Sequence, residues 1–350
     1  MLISKVALFL FATITGHVIA ESVTKCGNVG DSSYYNSTTL PYVFYNNPWG
    51  NDGSGYSCIT VNNNGTSFDA TWKWRNNSED VHAYPHFKLD SPLYPLQLGE
   101  LSSIDFSCMF GVNVTSAYNE SQEQRVQSLD DSDVQYNIAL DMFLDSKSTN
   151  AMGTLPHYEI MIWLSYSWDV YPVGISTSNP DKDQFILGDT RFFLFHGNNT
   201  QNQTVFSWLP ETNLTAVDAD YSPLIHYLWQ FGFMPKDIYL GTLQFGTEQF
   251  HATNEVLFRA ANYSLGLSRN TSEVFADLES VNPVAVPSQV QDEWCNEAIR
   301  KHVCRDFVGV QPCFGGILVA LKFLKEADWG GGLAPRSTLQ DVILGKESGL

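Results

Sequence analysis

Positive charge is scarce in this chain. Its 350 residues carry 19 Lys and Arg against 38 Asp and Glu, a formal net charge of −19. So acidic a surface repels phosphate backbones and anionic headgroups, which excludes nucleic acid and charged membranes as partners. An uncharged polymer is left as the easiest one to approach. Long hydrophobic runs are missing too: the apolar stretches at 6–14 and 314–327 are both too short to span a bilayer. Internal repeats are absent. Cysteines number only six (26, 58, 108, 295, 304, 313), and their spacing matches no zinc signature, so neither a metal nor another cofactor is expected.

What is present begins with an address. MLISKVALFLFATITGHVIA has one Lys, an apolar run and small residues up to Ala20, the pattern of a secretory signal peptide cleaved near Glu21. An extracellular, monomeric glycoprotein is expected, since N-x-S/T acceptors occur at Asn36, Asn64, Asn76, Asn113, Asn119, Asn198, Asn202, Asn213, Asn262 and Asn270. In an oxidising compartment the cysteines read as disulfides. Cys26 and Cys58, flanking the first hairpin, are the first pair to expect.

From residue 21 to 267 the chain reads as short strands between Gly, Asn, Asp and Ser clusters, at 40–46, 57–62, 68–74, 81–89, 101–114, 134–144, 158–164, 184–195, 204–209, 239–250 and 255–267. That density predicts an all-β sandwich or barrel. One helix is predicted at 221–230, where Leu224, Tyr227 and Leu228 share a face, and the polar stretch 119–133 reads as a surface loop. Residues 268–290 read as a linker. Residues 291–350 form a C-terminal extension with helical stretches and no residues that point to chemistry.

The informative stretch is Tyr158-Glu159-Ile160-Met161-Ile162-Trp163-Leu164. Side chains alternate along a strand, so Ile160, Ile162 and Leu164 face a core. Glu159, Met161 and Trp163 then share the other face: a carboxylate in line with a thioether and an indole. Two further acids stand alone in apolar strands, Asp141 in NIALDMF and Glu248 in QFGTEQF, where Gln244, Gly246, Glu248 and Phe250 share a face. Isolated burial would be costly for each. One shared site, with the acids' pKa values pushed apart by mutual repulsion, explains all three. Glycoside hydrolysis needs such a pair of carboxyls across one bond. The nine Trp and 13% aromatic content suit stacking on sugar rings. The alternative is a non-catalytic, lectin-like jelly roll, in which acids hold Ca²⁺. Its calcium ligands would cluster on loops rather than in mid-strand.

The set NNPWG (46–50), WKW (72–74), ALDMF (139–143), YEIMIWL (158–164), PVG (172–174) and QFGTEQF (244–250) resembles glycoside hydrolase family twelve, in family order over residues 26–267. The resemblance implies a two-sheet β-jelly roll with a concave cleft and retaining hydrolysis of internal β-1,4-glucosidic bonds, in cellulose-type β-glucan or xyloglucan. It implies Glu159 as nucleophile, Glu248 as acid/base and Asp141 as the residue that orients and tunes Glu159. Asn47 and Trp49 match glycone-side sugar contacts, and Met161 and Trp163 match the cleft floor. Trp74, Pro172 and Phe250 are added as substrate contacts. Three features depart from the pattern: Gln249 replaces a frequent Pro, Phe192–Phe195 makes one wall more apolar, and SYSWDVY replaces a Gly-rich loop and adds Trp168 and Tyr171. The tail lacks the compact, aromatic-rich character of a cellulose-binding module.

Overall fold

Alternating apolar and polar side chains dominate the chain, and in the computed structural model they form strands wherever the alternation is clean. The structure describes residues 21–270, apart from 29, 155, 180 and 181. The expected signal peptide, the linker and extension beyond residue 270, and Cys295, Cys304 and Cys313 lie outside the described residues.

In chain order the strands are β1 (Ser22–Lys25), β2 (Tyr34–Asn36), β3 (Tyr42–Tyr45), β4 (Tyr56–Asn62), β5 (Ser67–Lys73), β6 (His86–Leu89), β7 (Leu96–Gln97), β8 (Leu101–Val114), β9 (Gln135–Asp145), β10 (Tyr158–Tyr166), β11 (Gln184–Leu187), β12 (Thr190–Asn198), β13 (Thr204–Pro210), β14 (Ala216–Asp220), β15 (Tyr239–His251) and β16 (Val256–Arg269). The helices are α1 (Gln122–Asp131), α2 (Ser148–Ala151) and α3 (Ser222–Gln230). A six-stranded sheet runs β1-β4-β5-β16-β8-β14. A ten-stranded sheet runs β11-β12-β13-β10-β9-β15-β6-β3-β2, with β7 beside β15. β10 pairs β13 in parallel, while its other neighbour, β9, is antiparallel.

Between the sheets lies an aromatic core. The Phe245 ring of the large sheet sits 4.8 Å from Phe106 and 6.3 Å from Phe258 of the small one, and Phe87 meets Phe68 edge-on at 6.0 Å. Each such ring, fully buried, contributes about 1.5–3 kcal/mol. Ile160, Ile162 and Leu164 are fully buried in this core, as alternation along β10 predicts. Cys26 and Cys58 form the expected disulfide, which ties the segment after β1 to β4.

Several expectations change. Residues 119–133 are not a loop. Ser121 and Gln124 form a reciprocal capping box that starts α1, although the helix buries no side chain. The stretch 184–195 is a hairpin, β11 and β12, turning at Gly188, whose φ of 59° suits glycine. Only the end of 81–89 pairs as a regular strand.

The expected cleft role of Trp74 is overturned. β5 belongs to the small sheet, and its inward face is Phe68, Ala70 and Trp72. Trp74 continues that phase and is completely buried, stacked on His82 at 4.9 Å, with its Nε1 donating to Gln249 Oε1 at 3.2 Å. Its ring is core, with no face left for a sugar.

Candidate active site

Three adjacent strands, β10, β9 and β15, bring the isolated acids together. Met161 pairs with Asp141, which pairs in turn with Gln244. Glu159 pairs with Phe143, and Glu248 with Asn137. Paired residues share a face, so Glu159, Asp141 and Glu248 all project from the outer face of the large sheet, away from the core. Met161 and Trp163 are on that face too. Both are deeply set, and the Trp163 Nε1 lies 3.5 Å from the Met161 sulfur.

The electrostatics follow from burial. Asp141 is 3% exposed and its Oδ1 has no hydrogen-bond partner. Desolvation first, and then the charges of Glu159 and Glu248, hold its carboxyl well above the usual range. Glu159 and Glu248 are half-buried. Burial, then the Glu248 charge, pushes Glu159 up to about 8. Burial pushes Glu248 up to about 7 against the pull of a hydrogen bond from Asn137. Three carboxyls raised by burial on one sheet face, Asp141 and Glu159 also by their acidic neighbours, occupy one site.

Two side chains that the sequence reading passed over complete the site. Asn137 is fully buried; its Nδ2 donates to Glu248 Oε2, and its Oδ1 accepts the Glu248 backbone N–H at 3.3 Å. It lies four residues before Asp141 on the same strand, so alternation places it on the cleft face, a signal already present in NIALD. Tyr84 donates its hydroxyl to the Ala139 carbonyl at 3.1 Å, and burial and all three carboxyls raise its phenol. No strand pattern in HAYPH marks it. Tyr84 and Tyr45 sandwich His86, at 4.9 and 5.3 Å, as an aromatic wall beside β15, and burial pushes the His86 imidazole down to about 4.

The remaining expected contacts divide. Trp49 stands 60% exposed on the loop after β3, held by a bond from Gly50 N to His82 O, and Asn47 beside it is half-buried. Pro172 is buried and Phe250 is 9% exposed, so neither presents much surface. Among the described residues no helix is long and apolar enough to cross a membrane.

The profile of "Glycosyl hydrolase family 12" matches residues 40–268. The chain is 28% identical to the xyloglucan-specific endo-beta-1,4-glucanase A of Emericella nidulans, over 75% of this chain and 98% of that protein. It is 27% identical to endoglucanase A of Aspergillus kawachii, over 65% of this chain and 89% of that protein. Among solved structures, the catalytic domain of Humicola grisea Cel12A superposes with a TM-score of 0.57 at 22% identity, covering 70% of this chain and 99% of that one. A family 12 xyloglucanase from Bacillus licheniformis gives 0.55 at 19%, covering 71% and 100%. The fold is therefore the β-jelly roll of these structures.

Proposed function

This chain belongs to glycosyl hydrolase family 12, and on that premise we propose that it is a secreted, retaining endo-β-1,4-glucanase acting on β-glucan or xyloglucan. The observation that carries the proposal is the trio of carboxyls on one outer sheet face, each pushed upward by burial. Carboxyls whose pKa values burial raises towards neutral pH can both donate a proton to a leaving oxygen and, when ionised, attack an anomeric carbon.

In the productive complex the Glu159–Glu248 pair carries one proton, a property of the pair rather than of either residue. Asp141, whose carboxyl burial holds well above its usual range, shares the sheet face of Glu159 and orients and tunes the nucleophile. Glu159 attacks the anomeric carbon while Glu248 protonates the departing oxygen. Water then cleaves the glycosyl-enzyme with Glu248 as base. The Glu248 pKa near 7 suits a group that must serve as acid in one step and base in the next. Asn137 positions that carboxyl. Trp49 and Asn47 take sugar on the glycone side, over a deep floor of Met161 and Trp163.

The test is hydrolysis of xyloglucan beside carboxymethylcellulose, with the anomeric configuration of the first product followed by NMR. Retained β-configuration with a rapid fall in viscosity is expected. Inverted product, or no cleavage of any β-linked glucan, overturns the reading.

A further inference from the structure

Trp168 is 72% exposed, more than any other large apolar side chain among the described residues. It does not hang on a free loop. Ser167 N donates to Tyr136 O at 3.0 Å, and Tyr136 N donates to Ser167 Oγ at 3.0 Å. On the other side, Gln135 Nε2 donates to Asp169 Oδ2 at 2.6 Å, and Val170, 5% exposed, closes the turn through its bond to Ser167 O. Anchors thus bracket the indole on both sides and fasten it to the start of β9. A turn so tightly held that still leaves its largest side chain in water is presenting that side chain.

What it presents it to follows from lateral order. Tyr136 pairs with Gln249, next to Glu248. Across β15, Gln249 N donates to Ala83 O and accepts from His82 N through its own carbonyl. His82 O in turn takes Gly50 N, and Tyr84 N donates to Asn47 O. The sequence across the sheet is therefore the Trp168 turn, β9, the Glu248 strand, the 82–84 segment and the Trp49 loop. Four steps of strand spacing span about 19 Å, room for several sugar rings. Floor aromatics lead the same way, with the Trp163 ring 5.6 Å from Tyr166, two residues before Trp168. The loops that carry the two exposed indoles thus lie on opposite sides of the acid/base strand. With Trp49 on the glycone side, Trp168 falls where the leaving group departs.

We propose that Trp168 is a stacking platform for a main-chain glucose ring on the leaving-group side of the scissile bond, which makes it a specificity-determining residue carried by the SWDVY turn. The inference rests on the endoglucanase reading above. An indole face suits the apolar face of a β-linked glucose, and it reads chain length rather than branching.

The experiment compares kcat/KM for long cello-oligosaccharides with that for an aryl β-cellobioside, which places no sugar on the leaving-group side. In Trp168→Ala the ratio of long to short falls about tenfold, mostly through KM, and the preferred bond moves along the oligosaccharide; Trp168→Phe recovers part of the loss. Trp49→Ala weakens both substrates together. A ratio and cleavage pattern in Trp168→Ala equal to wild type overturn this inference alone. A wild-type protein that cuts neither substrate overturns the hydrolase reading and the platform with it.

Discussion

Asn137 holds Glu248 at both ends, donating from Nδ2 to the carboxylate while its Oδ1 accepts the Glu248 backbone N–H at 3.3 Å. A side chain gripped in this way has little freedom, and proton donation to a leaving oxygen depends on fixed geometry. The donated bond also stabilises the charged form, which opposes the upward push of burial. Asn137→Ala should therefore do two separable things. The maximal kcat should fall about 10²-fold from misplacement of the acid. The alkaline limb of the pH–rate profile should move to higher pH, since Glu248 keeps its proton longer. A variant that loses rate with an unmoved limb would limit Asn137 to packing.

The raised carboxyls predict a trade between activity and stability. Below the ordinary Glu value of 4.5, Glu159 is protonated in both folded and unfolded chains and costs nothing. As pH rises from there towards about 8, the unfolded chain gains a charge that the folded one resists, so the fold loses stability across that window. Glu159→Gln removes the conflict. Turnover should drop by about 10⁴-fold or more, while the fold gains about 1–3 kcal/mol at pH 8, after discounting for the cleft's contact with water. Thermal melting at pH 4 and pH 8 checks the sign: the variant should match wild type at the lower pH and exceed it at the higher.

Asp141 and Glu248 are separated by more than a hundred residues, yet both could be assigned to one face because each stands alone in an apolar strand whose alternation is unbroken. The same rule could have found Asn137. It fails for Trp74. Alternation shows which side of a strand a residue is on, but not which sheet the strand joins, and Trp74 follows a strand of the small sheet whose inner side is core. Helix α1 was hidden for a different reason. It has almost no apolar periodicity, and its start is fixed by the Ser121–Gln124 capping box alone. The turn at Gly188 was hidden because apolar residues continue on both sides of it.

Trp74 and Trp49 make the distinction measurable. Trp74→Ala removes a fully buried indole and its bond to Gln249, and should cost about 3–5 kcal/mol of stability. Trp49→Ala removes a ring already 60% exposed and should leave the melting temperature within about 1–2 °C while raising KM severalfold for glucan. Unfolding curves and Michaelis parameters for the two variants should show opposite patterns. A Trp49→Ala protein that melts early with normal KM would place that indole in packing instead.

Gly246 ties the fold to the chemistry through a lack of space. It pairs with Ala139 on one side and His86 on the other, two residues before Glu248. A Cβ built there would lie 2.3 Å from the Pro85 carbonyl oxygen and 2.6 Å from the His86 Cβ. The nearest obstacle is backbone, so no side-chain rotation relieves it. β6 and β15 would have to move apart, and with them Tyr84, whose hydroxyl bonds Ala139 across this gap. Gly246→Ala should thus cost about 1–3 kcal/mol from overpacking. Because the shift falls between Glu248 and the aromatic wall, kcat should fall at least tenfold even at temperatures where the variant is fully folded. Melting curves set that temperature, and kcat on β-glucan measured below it gives the outcome. Full activity in a folded Gly246→Ala protein would mean that the wall of Tyr84 and His86 can move without disturbing the acid/base.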